Sequence, residues 1–129
     1  MKRPKLLGIG GAHVDRRGRM NAPYIPGASI PGTMQEETGG GVFNALRAAV
    51  QFGVSGSLIS ARGGDSAGDA VAAEAKRAGI EDLSSTFLDR NTASYTALLD
   101  MHGDVAAALA DMAIYETALP RIITRRMSR

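Results

Sequence analysis

The sequence has no cysteine and no tryptophan, and aromatic residues fill only 5% of its 129 positions. Without cysteine there is no disulfide framework and no thiolate chemistry, a composition that fits a cytoplasmic protein. No apolar run approaches the roughly 18 residues of a membrane-spanning helix, so no membrane span is expected. The opening stretch MKRPKLLGIGG has basic residues but no long apolar segment, and does not read as a signal peptide. Histidine is equally scarce. His13 and His102 are the only two, with no HxxxH or HxH spacing, which argues against a histidine-based metal site. No Ser-His-Asp arrangement is legible, G-x-S-x-G occurs only as a poor near-match around Ser57, and no Gly-Lys-Ser/Thr exists to make a phosphate loop.

The length fits one domain with one core. The pI of about 9.3 looks basic, but the basic residues sit at the ends. Lys2, Arg3 and Lys5 open the chain, and Arg121, Arg125, Arg126 and Arg129 close it. Those seven of 15 basic residues leave eight between positions 6 and 120, against all 13 acidic ones, a net of −5. Readers of nucleic acid pair a basic face with stacking aromatics. Here the three Tyr and three Phe are scattered through an acidic body, so no nucleic-acid partner is expected.

Lys5–Gly11 is a short apolar run ending in glycines, the pattern of a buried strand stopping at a turn. From Ala12 to Thr38 the composition shifts to Gly, Pro and polar residues, with extended pieces expected around Val14–Met20 and Gly32–Glu37. Gly39–Gly41 then opens a helix whose apolar face is Val42, Leu46, Ala49 and Val50, closed by Gly53. Ser57–Ala61 reads as a second buried strand, followed by a turn at Arg62-Gly63-Gly64-Asp65. Ser66 and Asp69 form an S-x-x-D capping box for an Ala-rich helix ending at Gly79, with Ala70, Val71, Ala75 and Ala78 inward. Thr86–Leu88 would be a third strand, and Ser94–Met101 and Asp104–Asp111 flank His102-Gly103 as a hairpin. Pro120 suits the first position of a last helix carrying Ile122, Ile123 and Met127, which await a partner surface. Strand, helix, strand, helix, strand is the rhythm of an α/β layer, with a small sheet attached.

Three features could carry chemistry. Gly39-Gly40-Gly41 precedes a helix, where unpaired N–H groups favour polar ligands, and Asn44 lies one turn in; a plain connecting turn fits equally well. Gly8-Ile9-Gly10-Gly11-Ala12-His13 falls short of a dinucleotide fingerprint, because His13 occupies the third glycine position and no helix follows directly. Asp15 lies just past a strand's carboxyl end, where ligands of open α/β sheets collect, and can accept hydroxyl hydrogen bonds. A solvated loop aspartate is its alternative.

Four blocks in order then resemble the N-terminal half of the ribokinase-like (PfkB) carbohydrate and nucleoside kinases. Gly10-Gly11-Ala12-His13-Val14-Asp15 is similar to that family's opening strand and Asn-x-Asp turn. Gly39-Gly40-Gly41-Val42-Phe43-Asn44-Ala45 is similar to its Gly-Gly-x-x-x-Asn-x-Ala signature, and Gly63-Gly64-Asp65-Ser66-Ala67-Gly68 to its Gly-x-Asp-x-x-Gly block. Thr92–Ala110 resembles its lid hairpin, and Ala110–Glu116 looks most like the pseudouridine kinase branch. The resemblance covers nearly the whole chain. It implies an α/β fold: part of a ribokinase-like doubly wound sheet, with a small β-sheet lid built from segments 12–38 and 92–111.

Within that family Asp15 would hold sugar hydroxyls, Gly40 and Gly41 would let the sugar lie close to backbone, and Asn44 would bond another hydroxyl. His13 stands at the family asparagine and Gly41 where ribokinases carry lysine, departures that argue against ribose and lean toward a nucleoside-type ligand. The complete family protein uses ATP and Mg²⁺ to phosphorylate a sugar hydroxyl. Its catalytic Asp-Thr-x-Gly-Ala-Gly-Asp block, in the C-terminal half, has no match here. The 129 residues are therefore expected to be a truncated, inactive portion of such a kinase, with no tightly bound nucleotide. The alternative is a non-catalytic sugar- or nucleoside-binding or interaction module reusing the fold. The resemblance and an exposed sheet edge both point to a homodimer formed through the lid.

Overall fold

A computed structural model of the chain describes residues 2–128. The apolar run at the start forms β1 (Lys5–Ile9), and the Gly/Pro-rich segment after it supplies β2 (His13–Met20) and β3 (Gly32–Gly39). Next come α1 (Gly41–Gln51), β4 (Ser55–Ile59), β5 (Ala61–Gly63) and α2 (Ser66–Arg77). Two short strands, β6 (Glu81–Asp82) and β7 (Ser85–Phe87), precede the hairpin of β8 (Ser94–Leu99) and β9 (Val105–Asp111). The described chain closes with α3 (Ala113–Thr117) and α4 (Leu119–Met127).

Parallel strands β1-β4-β6 make the α/β layer, and β5-β7 form a parallel two-stranded extension. A four-stranded sheet, in the order β3-β2-β8-β9, stands beside the layer. Its central pair β2 and β8 run parallel, and each is flanked by its antiparallel hairpin partner. The expected single strand over Ser57–Ala61 is thus two pieces, and Arg62 and Gly63 lie in β5 rather than in a turn. The break is at Ser60, whose N–H donates to Ser84 Oγ at 2.9 Å and leaves the ladder. The layer's third strand is β6, not Thr86–Leu88; Ser85–Phe87 pairs with β5 instead, and Leu88 is 88% exposed.

The main core joins both sheets. Val14 of β2, Phe43 and Leu46 of α1, Leu58 of β4, and Val71 and Ala75 of α2 are buried in one cluster. Phe43 lies outside the apolar stripe expected for α1, yet it is fully buried while Ala49 is not. α1 sits so close to β1 that a Cβ on Gly8 would press on Leu46 and Val42 at 2.7–2.8 Å. A Cβ on Gly10 would likewise meet Val42 at 2.6 Å, so Gly8 and Gly10 both serve helix packing rather than a nucleotide. A second cluster gathers Ile59, Ala61, Ala93, Ile114, Ala118 and Ile122. The last helix therefore does find a surface for Ile122, whereas Met127, expected on the same face, is 82% exposed.

α2 is capped one residue earlier than the S-x-x-D reading expects. Asp65 is the N-cap, and its Oδ1 accepts from Gly68 N–H at 2.9 Å. Asp65 also accepts from Thr92 N–H at 2.9 Å and from the Thr92 hydroxyl at 2.5 Å, tying α2 to the start of β8. Asp wins over Ser here because one carboxylate can serve three donors at once. Burial pushes the Asp65 carboxyl up, but the bonds from Thr92 and Gly68 outweigh it and hold the group below its usual value. A depressed folded pKa gives stability that is present above the unfolded value of about 3.9 and lost as pH falls through the folded one. Asp65→Ala should therefore cost about 1–2 kcal/mol in urea unfolding at pH 7, and less as the pH drops below 4. A cost constant across that range would contradict the assignment.

Replacing the plug of the main core tests its weight directly. Phe43→Ala should destabilise the chain by about 3–5 kcal/mol, the range for emptying a fully buried aromatic site. Ala49→Gly on the same helix should cost about 1 kcal/mol from helix propensity alone. Equal losses at the two positions in thermal or urea unfolding would show that Phe43 is no keystone.

Candidate functional site

The four expected contact residues cluster where β2 and β3 meet α1. Asp15 lies on β2, opposite Glu37 of β3 and Tyr95 of β8. Two pairs nearer the base of the sheet, His13 faces Gly39. The Asp15 carboxylate lies over Gly39, where any side chain would collide with it. Gly40 follows with φ +106°, in the region that favours glycine, and a Cβ there would strike the Gly11 carbonyl. Gly41 is the first residue of α1 and looks into open space. The Gly11 carbonyl accepts from Phe43 N–H at 3.2 Å, so the helix start is partly occupied by the protein's own backbone. Asn44 N–H donates to the Gly40 carbonyl at 2.8 Å, completing the first turn.

The Asn44 side chain is committed on one side only. Its Oδ1 accepts from Arg47, three residues on, which leaves the amide N–H groups exposed for a ligand. Sequence reasoning credits Asn44 with both donor and acceptor capacity, and overlooks Arg47. That guanidinium also donates to the Thr38 hydroxyl and carbonyl at 3.1 Å each and to Glu74 at 3.3 Å, and it stacks 4.6 Å above the Phe43 ring. One side chain thereby links β3, α1 and α2. Bonds from Arg77, working against burial, and then from Arg47 pull the Glu74 carboxyl down to about 2. It stays anionic at any physiological pH.

Asp15 is oriented from the other side. His13 Nε2 lies 3.1 Å from Asp15 Oδ1, and His13 Nδ1 lies 3.4 Å from the Tyr115 hydroxyl. The Tyr115 oxygen also accepts from Ala12 N–H at 2.9 Å. Burial is the main cause that raises the Tyr115 phenol to about 12, so it remains protonated. The protonated phenol has one proton to give, and donation to Nδ1 would put the imidazole proton on Nε2 facing the Asp15 carboxylate. The Asp15 side chain itself is about half exposed (47%), while that of His13 is 14% exposed. Tyr115 is not legible in the sequence as a partner of His13, because the five-residue helix α3 that carries it has no periodicity to read.

A cleft of about 200 Å³ opens on the Asp15 face of the four-stranded sheet. A larger one of about 930 Å³ lies elsewhere, between β7 and α4, and touches none of these residues. Among the described residues no three His, Asp or Glu side chains converge to hold a metal ion. No helix among them is long and apolar enough to cross a membrane.

The architecture is thus a partial ribokinase-like α/β fold, and the solved structures it resembles are carbohydrate and ribokinase-like kinases. A carbohydrate kinase from Agrobacterium tumefaciens is 49% identical, with a TM-score of 0.87 over 93% of this chain and 39% of its own. One from Clostridium perfringens described as a sugar kinase is 29% identical, with a TM-score of 0.87 over 98% of this chain and 41% of its own. A fructokinase from Xylella fastidiosa, solved with bound ATP, shares the fold at 19% identity, with a TM-score of 0.67 over 87% of this chain and 34% of its own. The chain therefore spans about two fifths of the length of the first two kinases. No protein-family model matches it, and no curated protein does.

The Tyr115 link is open to test. Tyr115→Phe removes the acceptor of the Ala12 amide, which is buried with its residue only 1% exposed. Leaving that donor unpaired should cost about 1–3 kcal/mol. It should also speed hydrogen exchange at Ala12 well beyond the change at amides in α2. Unchanged exchange at Ala12 would show that the phenol holds nothing.

Proposed function

We propose that the chain is the substrate-binding and lid portion of an ATP-dependent sugar or nucleoside kinase. One observation carries the reading. An oriented carboxylate at Asp15 and a one-sided amide at Asn44 bracket the Gly39–Gly41 crossing, in a chain whose likeness to a carbohydrate kinase extends over nearly its whole length. Asp15 accepts hydrogen bonds from sugar hydroxyls, Gly40 and Gly41 let the ring lie close to backbone, and Asn44 donates to another oxygen. The four-stranded sheet serves as the lid, and two copies pair through it in the cytoplasm. The half-exposed Leu7 and Ile9, on the face of β1 turned away from α1, add apolar surface that favours association.

ATP and Mg²⁺ belong to the complete kinase in this reading. The 129 residues offer no phosphate-cradling Gly-Lys-Ser/Thr loop and no Asp-Thr-x-Gly-Ala-Gly-Asp block, and no converging acidic group for a cation among the described residues. They do not fit either group, and no phosphoryl step is assigned to them. That same gap favours the second reading, a non-catalytic sugar- or nucleoside-binding or interaction module.

Calorimetry with ribose, pseudouridine and adenosine tests the site, pseudouridine probing the nucleoside branch. Binding of one of them should weaken at least tenfold in Asp15→Ala. Binding untouched by that change would remove Asp15 from the site. An ADP-release assay on the purified chain should show no turnover; genuine turnover would overturn the division of labour proposed above.

A further inference from the structure

The face of the four-stranded sheet that bears Asp15 also bears charge of the opposite sign. Side chains alternate along a strand, so Asp15, Arg17 and Arg19 share one face of β2, and Val14, Arg16 and Gly18 the other. The contacts agree. Val14 is buried in the core, and Arg16 pairs with Glu36, its direct neighbour on β3, at 2.9 Å. On the Asp15 face, the register sets Glu37 and Tyr95 beside Asp15, and Gln35 and Ala97 beside Arg17. These residues line the cleft of about 200 Å³ together with Arg16, whose guanidinium is already engaged by Glu36. That is smaller than the roughly 300–1,000 Å³ of sites for drug-sized ligands, and suits a group the size of a monosaccharide.

The cleft is polarised. Two carboxylates, Asp15 and Glu37, stand at the end nearest the Gly39–Gly41 crossing, and the Arg17–Gln35 pair lies one strand repeat further out, roughly 6.6 Å away. Arg16, Arg47, Arg62 and Arg77 are all engaged in ion pairs, and Arg19 donates to the Met101 carbonyl. Arg17 makes no ion pair among the described residues. A neutral polyol needs only the acidic end, whose oxygens accept from hydroxyls. An uncommitted guanidinium beside a side-chain amide is the chemistry that receives an anion, because its planar fork bonds carboxylate or phosphate oxygens two at a time. Resting on the sugar-site reading above, we propose that Arg17 and Gln35 form an anion subsite. The ligand is then an anionic sugar, with hydroxyls at Asp15 and its carboxylate or phosphate at Arg17.

Calorimetry of the 129-residue chain with ribose, ribonate and ribose 5-phosphate tests this and separates the two sources of anion. One or both anionic sugars should bind at least tenfold more tightly than ribose. The advantage should shrink to within about twofold in Arg17→Ala and survive in part in Arg17→Lys. It should persist in Arg90→Ala, which removes the same charge from outside the cleft lining, where Arg90 donates to the Thr117 hydroxyl. Circular dichroism of each variant checks folding, and the Lys variant keeps the test valid should the Ala variant unfold. Equal affinity for all three ligands, an unchanged preference in Arg17→Ala, or an equal loss in Arg90→Ala overturns the subsite and leaves the sugar site standing. If none of the three binds, and neither pseudouridine nor adenosine does, both readings fall together.

Discussion

The candidate site depends on one close approach of backbone to backbone, where Gly40 crosses over Gly11. The Gly11 carbonyl meets the start of α1 by accepting from Phe43 N–H, and Gly40 leaves no room there for a Cβ. Because His13 pairs with Gly39 in the same register, this crossing also fixes the base of the four-stranded sheet. The relative placement of Asp15 and Asn44 follows from it, since each lies within a few residues of the junction. Directly behind it sits Phe43, fully buried. Core packing and site geometry therefore share the same few residues, so neither can change without the other.

Two side-chain links then hold the groups that the crossing brings together. Arg47 approaches from the helix side and joins Thr38, Asn44 and Glu74, while Tyr115 approaches from α3 and reaches Asp15 through His13. Both are long side chains whose polar ends lie among partners and whose stems or rings cover apolar neighbours. The arrangement resembles the support that any precise polar site needs: rotamers fixed by bonds made away from the ligand. It also explains why a half-exposed carboxylate such as Asp15 has one defined orientation.

Much of the fold was legible because glycine and period carry strong local signals. The β2 and β3 segments, both ends of α1, and the β8–β9 hairpin follow from turn residues and alternation. Three kinds of information were not local. The interruption at Ser60 arises from a hydroxyl 24 residues away. The Asp65 cap is chosen over Ser66 by Thr92, at the head of a distant strand. Phe43 is buried because α2 and β2 close over a side of α1 that an isolated helix would leave wet. In the site, Asp15, Gly40 and Asn44 were legible as residues, whereas the orienting partners Arg47 and Tyr115 appear only when the chain is folded. Gly41, read as part of the same cradle, has no structural constraint on it at all.

The distribution of charge bears on what such a cleft can and cannot do. Phosphoryl transfer depends on positioning and on neutralising charge that spreads over the phosphate oxygens. At the inner end of this cleft the fixed charges are Asp15 and Glu37, which attract hydroxyl hydrogens and repel phosphate. The cationic character lies further out along β2. If the cleft takes the sugar as proposed, a field of that shape would hold hydroxyls inward and any anionic group outward, and keep a triphosphate away from the inner end. On the reading proposed here, the division between binding and chemistry is therefore electrostatic as well as a matter of which motifs the chain contains.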